Sequence, residues 1–342
     1  MIQMIRVDEA QKNRSPIQGP IWKLICVTGM MRTGSSALTR GLASLGIELG
    51  SQVQKSEQGV NPTGFWEDTR TYDALHRVYR AIGLGDHMSA GAGNIPHDRW
   101  DRPKVRVIAR RLADYLNEFH GQFPRRMCAI KNPSIGRLIP FWQQVMEQTQ
   151  CSDRYIVTVR SPAAVAASCR CAWNFSHELS YALWVQFTLG AMIPAAKGRP
   201  TLAVDYDAFM LDPAGSLRRI ARWAEVPFTP EVQDAVNIFT GRFIRRELQH
   251  FVGSGGMSAP PLTMQMYELL RRAAEKGEAL ESAPFQSRWQ RVESLSSEYT
   301  RDLHRLDAAR RKPLAKRIYW RGHSAVKDSI TRLQARAAGR LQ

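Results

Sequence analysis

Cysteine is scarce in this chain: five residues in 342, at positions 26, 128, 151, 169 and 171. They are too few and too irregular for a disulfide framework. No C-x-x-C pair exists, and Cys169-x-Cys171 lacks companion ligands at zinc-like spacing. The count fits a reducing compartment. Long hydrophobic runs are missing as well, since no stretch approaches the 18 or more apolar residues of a spanning helix. The most apolar segment, Tyr181 to Ala196, is interrupted by Gln186 and reads as a buried helix. The opening residues, MIQMIRVDEAQKNRSP, put acidic and polar side chains where a signal peptide needs an apolar core. The expected location is the cytoplasm.

Acidic residues are also in short supply. Lys and Arg number 48 against 31 Asp and Glu, for a net charge of +17. Such a charge invites a nucleic-acid reading, but its distribution argues against one. Residues 301–342 hold 12 Lys/Arg and 3 Asp/Glu, about half of the excess in the last eighth of the chain. Aromatic and basic residues interleave only there, in Lys316-Arg317-Ile318-Tyr319-Trp320-Arg321. That tail is either a solvated face or a peripheral contact for an anionic membrane. The remaining composition, 44% hydrophobic and 23% charged, is globular and excludes a disordered or collagen-like chain.

Residues 1–20 lack periodicity and read as a loose lead-in. Ile21 to Thr28 is a short, branched apolar run, the pattern of a buried parallel strand. A loop, Gly29 to Gly34, leads into helical spacing over Ser35 to Leu45, with Gly46 as a stop. Residues 47–103 are irregular apart from a short helix near 69–82. Further helices are expected at Lys104–Phe119, Phe141–Thr149, Pro162–Cys171, Leu179–Ile193 and Pro213–Ala224. Further strands are expected at Met127–Ile130, Tyr155–Val159 and Thr201–Val204. Alternation of strands and helices predicts an α/β fold of three layers with a mostly parallel sheet. Ligands in such sheets bind at the carboxyl ends of the strands. The glycine-rich stretch Gly253 to Pro261 suggests a boundary, which leaves a domain over 21–255 and a basic helical extension over 256–342.

The sharpest motif is Gly29-Met30-Met31-Arg32-Thr33-Gly34-Ser35-Ser36. A glycine loop between a strand and a helix aims backbone N–H groups and the helix N-terminus at an anion. Ser35 and Ser36 add hydroxyls, and Arg32 a bidentate cation. The glycines keep the spacing of the NTPase loop G-x-x-x-x-G-K-[ST], but Ser35 stands where that loop has lysine. Without that cation the loop holds a phosphate but is poorly equipped to cleave a triphosphate.

Gly29 to Ser36 resembles the donor-binding loop of the sulfotransferase family, with Arg32 in place of the usual basic residue, as is common in bacterial members. The family's second motif, an Arg at a strand end and a Ser eight residues on, is matched by Arg160 and Ser168. The resemblance implies an NTPase-like fold and 3′-phosphoadenylyl sulfate (PAPS) as co-substrate, released as 3′,5′-adenosine bisphosphate. It implies that Arg32, Thr33, Gly34, Ser35 and Ser36 bind the 5′-phosphosulfate, and Arg160 and Ser168 the 3′-phosphate. Arg245, in the basic stretch Gly241 to His250, is a candidate for closing over that phosphate, beside Arg242 and Arg246. Val204 to Phe209 resembles a structural strand-to-turn block. The resemblance spans roughly residues 20–255, and the family's transfer needs no metal.

Sulfuryl transfer requires a base for the acceptor's proton and a cation for the leaving oxygen. Lys131, at the end of the second strand, matches a family lysine near the transferring group. Animal cytosolic members carry a basic histidine two residues later, where this chain has Pro133. Other branches use a glutamate after the first helix, and Glu67 in Asn61-Pro62-Thr63-Gly64-Phe65-Trp66-Glu67-Asp68 is the first candidate. Glu57, Asp68 and His76 are alternatives, and His87 and His177 weaker ones. The expected function is transfer from PAPS to a hydroxyl or amine of a carbohydrate, lipid or small metabolite. The alternatives are an atypical nucleotide kinase or NTPase, and a non-catalytic anion- or membrane-binding protein on the same fold.

Overall fold

The computed structural model describes residues 22–50, 52–54, 64–84, 95–123, 127–149, 151–244 and 259–310, with the side chains of 297–310 excepted. Four strands form its sheet: β1 (Trp22–Thr28), β2 (Cys128–Lys131), β3 (Cys151–Val159) and β4 (Thr201–Asp205). Their order is β2-β1-β3-β4, and every pairing is parallel. Val27 pairs with Lys131 and Ile156, so β1 and β2 end near one level, while β3 runs on to Val159, level with Asp205 of β4.

The helices are α1 (Ser35–Ala43), α2 (Thr69–Ala81), α3 (Pro103–Gln122), α4 (Ser134–Arg137), α5 (Ile139–Met146), α6 (Pro162–Trp173), α7 (His177–Ala196), α8 (Tyr206–Leu211), α9 (Pro213–Ala224), α10 (Pro230–Arg242), α11 (Pro261–Lys276) and α12 (Ala283–Arg310). Period-two side-chain alternation divides them between the two faces of the sheet. Leu24, Cys26, Cys128 and Ile130 pack with α2, α3 and α5. Val157, Val159 and Ala203 pack with α6, α7 and α11. Ile25, Val27, Ala129, Ile156 and Val204 turn to the other face, toward α1, α9 and α10. This is the expected three-layer α/β architecture, with strands buried on both faces.

Local sequence accounts for most boundaries. Pro162 and Pro213 occupy first turns, where the missing N–H costs nothing. Asp68 and Asp205 cap α2 and α8 by accepting from Thr71 N and Ala208 N at 2.7 and 2.9 Å. The helix expected over Phe141–Thr149 is present as α5, shifted toward the N-terminus, and a short additional helix, α4, precedes it directly after β2. The Asn132 side-chain oxygen accepts from Ser134 N at 2.8 Å and starts the chain turning there. Helix α10 was not anticipated, although Thr229-Pro230 opens it in the usual way, with Thr229 capping Val232 N.

The apolar segment around Gln186 belongs to α7, a helix of 20 residues that is long and apolar enough to span a membrane but is mostly buried within the fold. Beyond the glycine-rich break, Met266, Tyr267 and Leu270 of α11 and Phe285 and Trp289 of α12 share one core with α7. Leu280 N donates to Thr201 O at 3.0 Å and covers the outer edge of β4. Residues 256–342, read as an extension, therefore include two elements packed into the main core. The most basic segment, 311–342, lies outside the described residues.

Candidate active site

Because β1 is flanked by β2 and β3, the chain leaves it in one direction and returns on the other side. The crevice at the carboxyl ends of β1 and β3 is such a switch point, where open α/β sheets bind ligands. The glycine loop lies there. Gly29, Arg32 and Gly34 all have positive φ, at 126°, 71° and 82°. A Cβ on Gly29 would lie 2.5 Å from Thr158 O, so only glycine lets the loop pass over β3. Thr33 fastens it, with its hydroxyl 2.7 Å from Met30 O and 2.6 Å from Thr158 Oγ1. The Thr33 side chain is thus spent on the loop itself, leaving its N–H for a ligand. The N–H groups of Gly34 and Ser35 have no acceptor among the described residues. They sit at the N-terminus of α1, where the helix dipole adds positive potential.

The second motif meets the first. Arg32 Nε donates to Ser168 Oγ at 2.9 Å, and Arg160 Nη1 donates to Arg32 O at 3.2 Å. Arg160 and Ser168 are almost completely buried. Burial pulls the Arg32 guanidinium below its ordinary pKa, and the neighbouring Arg160 adds to the decrease. Aromatic rings shelter both cations: Trp173 lies 5.7 Å from Arg32, and Tyr206 lies 4.4 Å from Arg160. Tyr206 also backs the loop, since a Cβ on Gly34 would come within 1.9 Å of its ring. The segment Val204 to Phe209, taken from sequence as structural, therefore puts a ring into the site. Its signal was position, directly after the carboxyl end of β4.

The third cation is Lys131, at the end of β2. Its Nζ lies 2.5 Å from Glu67 Oε1 and 3.2 Å from Phe65 O. Asn132 Nδ2 donates to Glu67 Oε2 at 2.7 Å. Each carboxylate oxygen thus receives one donor, and all three side chains are buried. The Asn132 amide cannot swing away freely, because its oxygen holds Ser134 N. Sequence reading passed over Asn132 because asparagine before proline looks like turn chemistry alone. Ser36 Oγ donates to Phe65 O at 3.1 Å, so one carbonyl joins α1 and Lys131. The 64–68 strap is held from outside by Gln54 N to Glu67 O and Thr69 N to Gln52 O, at 2.8 and 2.9 Å. Its chain reverses at Trp66, whose φ is 56°.

The other acid–base candidates are occupied or distant. Asp68 caps α2 and accepts the Tyr115 hydroxyl at 2.6 Å. His76 packs on Tyr72 in α2, with ring centroids 4.1 Å apart. His177 stacks on Tyr181, with centroids 6.4 Å apart. Arg242 ends α10. Glu57, His87, Arg245 and Arg246 lie outside the described residues. Asp205, the carboxylate at the end of β4, caps α8 and accepts from the Tyr267 hydroxyl at 3.2 Å.

A parallel α/β sheet whose strands β1, β2 and β3 lead into Arg32, Lys131 and Arg160 defines an anion-binding, group-transfer class of protein. The sequence profile of the sulfotransferase family matches residues 25–230, and the chain belongs to that family. Solved structures similar to it include the sulfotransferase domain of the Synechococcus PCC 7002 olefin synthase, at 17% identity and a TM-score of 0.46, over 75% of this chain and 97% of that one. The sulfotransferase domain from the curacin biosynthetic pathway is 13% identical with a TM-score of 0.45, over 73% and 98%. Sulfotransferase STF9 from Mycobacterium avium is 16% identical with a TM-score of 0.38, over 66% and 70%. No curated protein matches the chain.

Proposed function

We propose that the chain transfers a sulfuryl group from PAPS to a hydroxyl or amine of a carbohydrate, lipid or small metabolite. One observation carries the reading: Arg32, Lys131 and Arg160 converge from three adjacent strand ends, beside a glycine loop whose Gly34 and Ser35 N–H groups lack acceptors among the described residues. That set suits a donor with two separated phosphate-type anions. Gly34, Ser35 and Arg32 bind the 5′-phosphosulfate, with Thr33 contributing its backbone N–H and Ser36 lying beside it in the first turn of α1. Arg160 and Ser168 take the 3′-phosphate, aided by Arg245. PAPS supplies the sulfuryl group and leaves as 3′,5′-adenosine bisphosphate.

Glu67 takes the acceptor's proton. Lys131 and Asn132 fix both of its oxygens and leave its remaining lone pairs to receive that proton. Lys131 then lies next to the leaving oxygen as well as to the base, and its charge offsets the negative charge that builds up there. The arrangement speaks against a kinase or NTPase. The loop has no lysine at Ser35, and the strand-end carboxylate of Asp205 is committed to Ala208 N and Tyr267. Residues 301–342 serve as a peripheral contact with anionic membrane in a cytoplasmic protein.

Calorimetric titration with 3′,5′-adenosine bisphosphate tests the donor. Saturable binding without a divalent cation supports it. Binding of ATP–Mg²⁺ in preference to the bisphosphate overturns it in favour of the NTPase reading.

A further inference from the structure

Arg40 is a half-buried guanidinium with no hydrogen-bond acceptor and no ion-pair partner among the described residues. Its central carbon lies 4.9 Å from the Trp66 ring and 5.5 Å from the Phe243 ring. Those rings meet each other edge-on, with centroids 6.2 Å apart. Aromatic rings attract a guanidinium through its flat faces, whereas its N–H donors lie in its plane. The rings therefore hold the side chain in place without using its donors. Arg40 Nε in particular is shielded from solvent and unsatisfied. A buried donor left without an acceptor is costly, and an arriving acceptor would remove that cost.

The location gives this feature a purpose. Arg40 is one helical turn beyond Ser36, whose hydroxyl bonds the Phe65 carbonyl that Lys131 also contacts. Trp66, beneath the guanidinium, directly precedes Glu67. Arg40 thus borders the strap that carries the base, on the α1 face next to α10. The motifs assigned to the donor do not include it.

From this geometry we infer that Arg40, clamped by Trp66 and Phe243, is an acceptor-recognition subsite for an oxyanion. The acceptor carries a carboxylate, phosphate or sulfate group in addition to the hydroxyl or amine that is sulfated. The planar N–H edge favours two-oxygen pairing, for which a carboxylate is best shaped. The inference rests on Glu67 being the base and therefore marking the acceptor side.

The test is calorimetric titration of benzoate, with neutral benzamide and phenyl phosphate as comparison probes, into protein saturated with 3′,5′-adenosine bisphosphate and into protein without it. Benzoate should bind in the millimolar range and benzamide should not. Arg40→Met, which keeps a long side chain between the rings, should weaken benzoate at least tenfold while leaving bisphosphate binding and the melting temperature near wild type. Arg32→Ala should leave benzoate binding intact. If Arg40→Met does not fold, Arg40→Lys carries the test, and its loss of bidentate pairing should weaken benzoate several-fold. Stronger binding of phenyl phosphate than of benzoate would keep the oxyanion subsite and change its preferred ligand. Three results overturn the inference: no saturable benzoate binding, equal affinity in the Arg40 variant, or displacement of benzoate by the bisphosphate, which would put Arg40 in the donor site. Absence of bisphosphate binding in wild type would instead sink the donor reading, and the benzoate arm without nucleotide would still report on Arg40.

Discussion

Lys131 and Glu67 form an ion pair at 2.5 Å in which both side chains are more than nine-tenths buried. Surface ion pairs contribute little, but this pair is shielded, so removing one partner strands a charge. It is also joined to the Ser36 turn through Phe65 O and to β2 through Asn132. A purely structural pair has no need to sit at the strand ends beside an anion loop. The pair therefore links the helix that follows the glycine loop to the group proposed to take the proton.

Replacement of Glu67 by Gln keeps the shape and removes the base; the amide oxygen accepts from one of Lys131 and Asn132, and the amide NH2 faces the other donor. Turnover, followed as transfer of radiolabel from PAPS into the acceptor pool of a cell extract, should fall by about 10²–10⁴. Affinity for 3′,5′-adenosine bisphosphate should stay within about twofold, because Glu67 is not assigned to the donor. Equal losses of turnover and of nucleotide affinity would make Glu67 a structural residue.

Replacement of Arg160 by Ala removes a charge assigned to the 3′-phosphate and also the clamp on Arg32 O. A charge-assisted contact of this kind contributes about 1.5–3 kcal/mol, so bisphosphate affinity should weaken about 10- to 100-fold in calorimetry. Adenosine 5′-phosphate, which lacks the 3′-phosphate, should be affected much less. A similar loss for both nucleotides would place Arg160 elsewhere in the donor site.

Gly34 and Tyr206 make a second, steric test. An added Cβ would lie 1.9 Å from the Tyr206 ring, and φ at this position is 82°. Gly34→Ala must therefore displace the ring and strain the backbone, at a cost of about 1–3 kcal/mol. The melting temperature should drop, and bisphosphate binding should weaken with it, because Tyr206 packs on Arg160. A stable variant with unchanged nucleotide affinity would show that the ring moves without consequence for the site.

Much of this was legible in sequence because it depends on local rules. The four strands are apolar, branched runs buried on both faces, and each is followed by a loop and helical periodicity. Gly29 to Ser36 and the Arg160–Ser168 spacing are likewise contiguous signals. What escaped reading is long-range. Glu67 and Lys131 are 64 residues apart in sequence, and their contact depends on a strap held by Gln52 and Gln54. Arg32 and Ser168, 136 apart, were assigned to different phosphates, and nothing local says that they bond. Tyr206, Asn132 and Arg40 carry no motif. Their meaning comes only from which side chains the α/β fold sets beside them.

Glu225 offers a prediction that concerns stability rather than the site. It lies just after α9 with φ of 60°, and bonds Lys23 of β1 and Arg154 of β3, each at 2.6 Å. The Lys23 bond, followed by the Arg154 bond, lowers its carboxyl to about 2 from an ordinary value of 4.5. A carboxylate held low in the folded state contributes stability above its unfolded pKa and loses it as pH falls through the folded one. The contribution is therefore complete near pH 5 and gone by about pH 2, within the span set by those two values. The carboxylate is exposed, so salt screens the pair and the effect is modest. Glu225→Gln should lower the melting temperature slightly at neutral pH and flatten its decline between pH 5 and 2. Melting curves at low and high salt provide the check, since the difference between variant and wild type should shrink as salt rises. Parallel acid profiles for the two proteins at low salt would mean that the Lys23–Glu225–Arg154 contact does not hold β1 and β3 to α9.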